Sequence, residues 1–148
     1  MSKTIPYVGE FLHSQDFPAP LRVAHLTAGP ATTNDVVITT ANTYPLFTVP
    51  AGLIVHNVQS IVTSVFTESV TLTIGDSDSA AGYLAAADIG STDVVTTGIL
   101  KNSSAAGEAY ATGKQYTAAQ TIDVVVAGAT AAIGVIHVYL VYSMAYND

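Results

Sequence analysis

The side chains in this chain that could do chemistry are few and scattered. Four histidines are present, His13, His25, His56 and His137. None has helical metal-ligand spacing with another, and no His-Glu-x-x-His motif occurs. His56 and His137 fall on expected long strands, as neighbours across one sheet or as two unrelated strand histidines. His13 with Asp16 reads as a loop feature. Asp76-x-Asp78 followed by Gly82 has the look of a calcium loop. However, the positions that should supply an acceptor, a glycine and a closing acid hold Ala80, Ala81 and Ala87. A polar turn accounts for the stretch, with a weak calcium site as the alternative. The eleven acids lie mostly in expected loops, and no pair stands out as a general acid and base. There is no nucleophile elbow and no phosphate-cradling glycine loop. With no cysteine, thiolate nucleophiles, disulfides and Cys metal sites are excluded. The expectation is a protein that is not an enzyme and uses no cofactor or metal. Tyr83, Tyr110 and Tyr116, on expected loops, could stack on sugars, although core or interface packing is the commoner use of tyrosine.

Some element must position whatever these side chains do. The length of 148 residues fits one domain. The net charge is −7, and the fixed cations are Lys3, Arg22, Lys101 and Lys114. A grip on phosphates needs clustered cations, so nucleic acid and anionic membrane surfaces are disfavoured as partners. Charged residues make up 10% of the chain against an ordinary ~25%. Polarity comes instead from Thr, Ser, Asn and Asp, which suits strands with threonine on their solvent faces. It also suits a surface partly covered by partners. The start, MSKTIPYVGEF, lacks the apolar run of a signal peptide. From Val124 to Asn147 there is no Asp, Glu, Lys or Arg. Glycines and β-branched residues there favour two strands and a turn over a membrane helix.

Period-two patterns dominate. Val70, Leu72 and Ile74 alternate with Thr71 and Thr73, and Ile122, Val124 and Val126 alternate in the same way. Leu53 to Phe66 is rich in β-branched residues on both faces and expects cover on both sides. Glu68-Ser69 marks a reversal, making Val70–Gly75 its expected hairpin partner. Pro50-Ala51-Gly52 fits a type II turn with Gly at positive φ. Further strands are expected at Arg22–Leu26, Val36–Thr40, Tyr44–Val49 (with Pro45 at an edge), Val94–Leu100 and Ala132–Met144. Tyr83–Ala87, alanine-rich, reads as one helical turn. Roughly eight strands separated by Gly-, Ser- and Asp-rich turns predict an all-β antiparallel sandwich, most simply a jelly roll.

Residues 1–30 differ from the 31–148 sandwich. They hold four of the six prolines, yet carry Phe11, Leu12, Phe17 and Leu21. Proline makes poor sheet interior. An extended arm is expected, folded over its own domain or docked on a neighbour. The last strand is apolar on both faces. Val135, Tyr139 and Val141, with His137 among them, lie opposite Ile136, Val138, Leu140 and Tyr142. A second covering layer is expected there, and these four are candidates for a subunit interface.

The stretch FTVPAGLIVHNVQSIVTSVFTESVTLTIGDSDSAAGYL, with the closing AGATAAIGVIHVYLVYS, resembles the capsid decoration, or cement, proteins of tailed bacteriophages. Their pattern is a Phe-x-[Ile/Val]-Pro-Ala-Gly turn, a long valine- and threonine-rich strand, a TLTIG strand, and an acidic loop ending in Tyr-Leu. The likeness covers about half the chain, Phe47–Leu84 and Ile122–Ser143. It implies a jelly-roll subunit, usually a homotrimer, made in the host cytoplasm and seated on the virion surface. There it would bind the major capsid protein and brace the shell. Related sandwiches in phage fibres and knobs imply the alternative, carbohydrate or receptor binding. The N-terminal arm lies outside the resemblance.

Overall fold

In the computed structural model, the structure describes residues 3–4, 21–66, 70–88, 98–102, 109–128 and 133–144. All its regular elements are strands: β1 (Lys3–Thr4), β2 (Arg22–Gly29), β3 (Val36–Val37), β4 (Asn42–Val49), β5 (Leu53–Ser64), β6 (Val70–Gly75), β7 (Leu84–Asp88), β8 (Gly98–Asn102), β9 (Lys114–Gln115), β10 (Gln120–Gly128) and β11 (Val135–Met144). They form two sheets, ordered β1-β4-β10-β6-β7 and β3-β2-β11-β5-β8, with β9 added to β5. Without the two-residue strands β1, β3 and β9, eight strands remain, four in each sheet. The chain passes between sheets at every step except β6 to β7, which pair as neighbours. This is a jelly roll. Its long pairings are antiparallel, and among the described residues only the short contacts of β1 with β4 and β3 with β2 are parallel.

The core lies between the sheets, where the alternating residues meet. Leu72, Ile74, Ile122 and Val124 of one sheet join Leu26, Val58, Ile136, Val138 and Leu140 of the other in a single buried cluster. The alternation expected for β6 and β10 is observed, with their threonines on the solvent side.

The long strand β5 is built differently from a plain alternating strand. Along β11 the register steps from Asn57 opposite Val141 to Val55 opposite Tyr142, leaving His56 as an extra residue. That β-bulge lets both Val55 and Val58 point inward. The Pro50–Gly52 turn forms as expected, with Gly52 at φ 86°. Among the described residues Pro45 pairs toward β10, at a register shift beside Asp123, and β1 meets β4 at Phe47 and Thr48. A residue without an N–H is tolerated at such an irregular edge position.

Two expectations are corrected. β5 and β6 are not a hairpin: β5 lies between β11 and β8, and β6 lies between β10 and β7 in the opposite sheet. Leu84–Asp88 is a strand rather than a helical turn, because pairing with Thr71 and Leu72 outweighs alanine's helix propensity. The Arg22–Leu26 strand extends to Gly29, and Val36–Thr40 shortens to Val36–Val37. Residues 94–97 lie outside the described residues.

Candidate functional site

Two constellations of polar side chains emerge, one closing an end of the sandwich and one on a sheet surface. The first is centred on Asp76, whose side chain has no exposed surface. The loop after β6 turns on this residue. Its Oδ1 accepts from the backbone N–H groups of Asp78 and Ser79 at 3.0 and 3.1 Å, and its own N–H donates to the Ser79 carbonyl at 2.9 Å. The segment running through β9, from Tyr110 to Tyr116, supplies the remaining donors. Tyr110 Oη donates to Oδ1 at 2.9 Å, Tyr116 Oη donates to Oδ2 at 2.7 Å, and Lys114 Nζ lies 2.6 Å from Oδ2. Since Tyr116 spends its hydrogen on Asp76, Tyr83 must donate to Tyr116, 2.8 Å away.

Lys114 also donates to Asp78 Oδ2 at 2.7 Å and to Tyr110 Oη at 3.0 Å. It lies 4.5 and 4.7 Å from the ring centroids of Tyr110 and Tyr116. Gly82 has a steric role here, since a Cβ would meet the Tyr110 ring at 2.1 Å.

The electrostatics follow from this geometry. Burial pushes the Asp76 carboxyl upward, but hydrogen bonds from Lys114, Tyr116, the Ser79 N–H and Tyr110 outweigh it and hold it below its ordinary value. Burial opposes the charge on Lys114, and its bonds to Asp76, Asp78 and Tyr110 reverse that and raise it. The hydrogen bond from Lys114 chiefly lowers the exposed Asp78. Burial raises Tyr83 and Tyr116. Such a network holds a fixed ion pair and offers neither a nucleophile nor a group poised near neutrality. Where the calcium reading would put a metal between the two aspartates, the structure puts the Lys114 ammonium. Among the described residues no group of three or more His, Asp or Glu could hold a metal ion.

The second constellation lies on the solvent side of β2, β11 and β5. Register places Val23, Val141 and Asn57 in one row, then His25, Tyr139 and Gln59, then Thr27, His137 and Ile61. His25 Nε2 and His137 Nδ1 are 2.8 Å apart. The His25 ring stacks on Tyr139, with centroids 4.6 Å apart. The equivalent face of the other sheet carries Thr43, Val125 and Thr73 in one row and Thr48 beside Thr121. One outer face is thus threonine-rich, and the other mixes Val23, Tyr139, Val141 and Ile61 with histidine, amide and threonine side chains.

The interface candidates Val135, His137, Tyr139 and Val141 are together on that second face, each half-buried, while their strand neighbours Ile136, Val138, Leu140 and Tyr142 are buried. Of the arm candidates, Leu21 is 63% exposed, next to Val23 at 61%. Phe11, Leu12 and Phe17 lie outside the described residues, as do His13 and Asp16. His56 does not meet His137. It bonds Ser143 Oγ at 2.7 Å, while His137 faces Ile61 across β5. Tyr83 and Tyr116 are core residues, which removes them as sugar-stacking side chains. Two contacts escaped sequence reasoning, Lys114 with Asp76 and His25 with His137. They span 38 and 112 residues, beyond any local pattern. The run from Val124 holds β10 and β11, in opposite sheets, and no helix among the described residues is long and apolar enough to cross a membrane.

The class that this architecture defines is the eight-stranded jelly roll. Two solved structures share it over nearly their whole length. A chain of the cyanophage Pam1 capsid asymmetric unit is 20% identical, with a TM-score of 0.56, covering 87% of this chain and 88% of that one. A chain of the acid-stable capsid of Helicobacter pylori bacteriophage KHP30 is 14% identical, with a TM-score of 0.57, covering 85% and 89%. No family model matches the chain, and a search of curated proteins found no match.

Proposed function

We propose that this chain is a structural protein of a phage virion, a decoration subunit that binds the outside of the head as a homotrimer and stabilises it. One observation carries the reading: the jelly roll matches chains of two phage capsid structures almost end to end, leaving little of either partner unmatched. The unequal outer faces support it. A sheet face with Val23, Val135, Tyr139 and Val141 half-exposed and no fixed charge in its β2, β11 and β5 rows has the composition of an interface core. That face is where copies of the chain meet, through Val135, His137, Tyr139 and Val141. The arm, through Phe11, Leu12, Phe17 and Leu21, docks on the major capsid protein or on a neighbouring subunit. Each capsid contact can be weak, because three linked copies multiply it through effective concentration.

The test uses the purified full chain and empty shells of the major capsid protein encoded in the same genome. Light scattering should give three chain masses at micromolar concentration. Cosedimentation should saturate the shells and raise their melting temperature. A chain that leaves shells unbound and unstabilised, yet gives a specific hit on a glycan array, would instead point to a fibre or knob role.

A further inference from the structure

We infer that the lysines of this chain guard its sheet edges, and that Lys101 keeps the end strand β8 from pairing with β8 of a second copy. Association is thereby left to the sheet faces, such as the seam through Val135, His137, Tyr139 and Val141. The inference goes beyond the proposed function and holds whatever mass the wild type has in solution. It starts from where the charges fall. The chain has three lysines, Lys3, Lys101 and Lys114. All three lie on strands at a sheet margin, β1, β8 and β9, which have two, five and two residues. By contrast β4, β5, β6 and β11, with eight, twelve, six and ten residues, carry no Asp, Glu, Lys or Arg. Inner strands hold two fixed charges, Arg22 at the start of β2 and Asp123 at the irregular step of β10. Position in the sheet, rather than strand length, decides where a lysine stands.

An end strand presents a row of backbone N–H and C=O groups along which another chain can add, and charge, proline or brevity blunts it. Among the described residues every margin has such a device. β3 is two residues long. β1 carries Lys3, and β4 beneath it carries Pro45. β7 ends on Asp88. β9 is fastened over the edge of β5 by Lys114, whose ammonium lies 2.6 and 2.7 Å from Asp76 and Asp78. β8, Gly98-Ile99-Leu100-Lys101-Asn102, depends most on its lysine. It lies beside β5, whose run from Leu53 to Thr67 has no Asp, Glu, Lys, Arg, proline or glycine, the composition that pairs most readily between chains. The register steps from Ser60 opposite Lys101 to Ile61 opposite Ile99, so Leu100 is bulged and Lys101 takes the position beside Ser60. Ser60 is buried, in the same alternation as Val58 and Val62. Lys101 thus stands at a core-side register position of the last strand. A strand added outside β8 would cover that position and take the ammonium out of water without a partner. Two-fold pairing of β8 with its copy would do this to both lysines and bring like charges together.

The experiment is sedimentation velocity of the full chain at neutral pH over a concentration series, on wild type, K101T and K101E, with hydrogen exchange followed over residues 98–102. K101T should form species heavier than the wild type, growing with concentration, at about one tenth of the concentration the wild type needs. The extra mass should come with slowed exchange at 98–102. K101E should keep the wild-type mass, because charge of either sign blocks the margin. Net charge cannot produce this pattern. From −7, loss of a lysine makes the chain more negative, which by itself opposes association. A K101T that holds the wild-type mass throughout overturns the inference. So does a K101E that associates as strongly as K101T, which would make the stem and not the charge the guard. Extra mass with unchanged exchange at 98–102 also overturns it, by putting the new contact elsewhere. Should K101T melt below the wild type, K101Q, which keeps most of the stem without the charge, is read by the same criteria. Each outcome is a comparison with the wild type, so failure of the homotrimer reading leaves it intact.

Discussion

At the scale of single residues the structure spends its polar chemistry on holding itself together. The Asp76 carboxylate collects two backbone N–H groups, two tyrosine hydroxyls and the Lys114 ammonium. Removing its charge leaves Lys114 without its buried partner, and breaking one side of a buried pair costs about 3–5 kcal/mol. Asp76→Asn should therefore lower the urea midpoint by an amount equal to about 3 kcal/mol at unchanged m. A loss below 1 kcal/mol would mean that the network is relaxed in solution. The pH dependence has a definite sign. Asp76 is lowered on folding, so its contribution is present above about pH 4, where the unfolded carboxyl is ionised, and is lost as pH falls through the folded value. Lys114 is raised, so its contribution is present below about pH 10 and is lost as pH rises through the folded value. Chemical denaturation from pH 2 to 11 should show a plateau between these limits, and the acid-side loss should shrink in Asp76→Asn. The sequence singled out Asp76 and Asp78 through their own spacing. Their cation was not legible, because Lys114 lies in a turn-rich segment that only the fold brings alongside.

At the scale of elements, what was legible is what period two encodes. Alternation says which side of a strand is buried, so the inward residues of β6 and β10 could be read directly from the chain, while β11, apolar on both faces, gave no such sign. It does not say which strand lies alongside. A reversal signal such as Glu68-Ser69 does not say whether the next strand pairs with the last one or joins the other sheet, and β6 joins the other sheet. The alanine-rich β7 misled for a related reason: propensity is a weak local preference, and cross-strand pairing overrides it. A pair of substitutions on β11 tests the face assignment. Leu140, fully buried between Val58 and Ala24, should cost about 2–5 kcal/mol as Leu140→Ala. Val141→Thr, one position along and half-buried, should cost well under 1.5 kcal/mol in denaturant. The same Val141→Thr should weaken self-association, and a cost to folding alone would argue against an interface there.

At the scale of the whole molecule, the two outer faces divide the labour. The threonine face suits water, and if the β2–β11–β5 face joins copies of the chain as proposed, a capsid contact has to be made elsewhere. The arm is the remaining apolar candidate, and the fold says where it can be cut. β2 pairs with β11 from Ile136 opposite Ala28 to Tyr142 opposite Arg22, so a truncation must stop before Arg22. Removing residues 1–20 also removes β1, whose pairing covers only Phe47 and Thr48 at the edge of β4. Among the described residues these two edge pairings are what the cut removes, a small loss for a jelly roll of this length. The truncated chain should melt within about 5 °C of the full one, a shift equal to roughly 1–2 kcal/mol. It should also keep its mass in light scattering, because the seam residues are untouched. Shell binding should fall at least tenfold, since Phe11, Leu12 and Phe17 go with the arm. Unchanged saturation of shells would move the capsid contact onto the sandwich itself. A truncated chain that turns monomeric would reassign the arm from the shell to the neighbouring subunit.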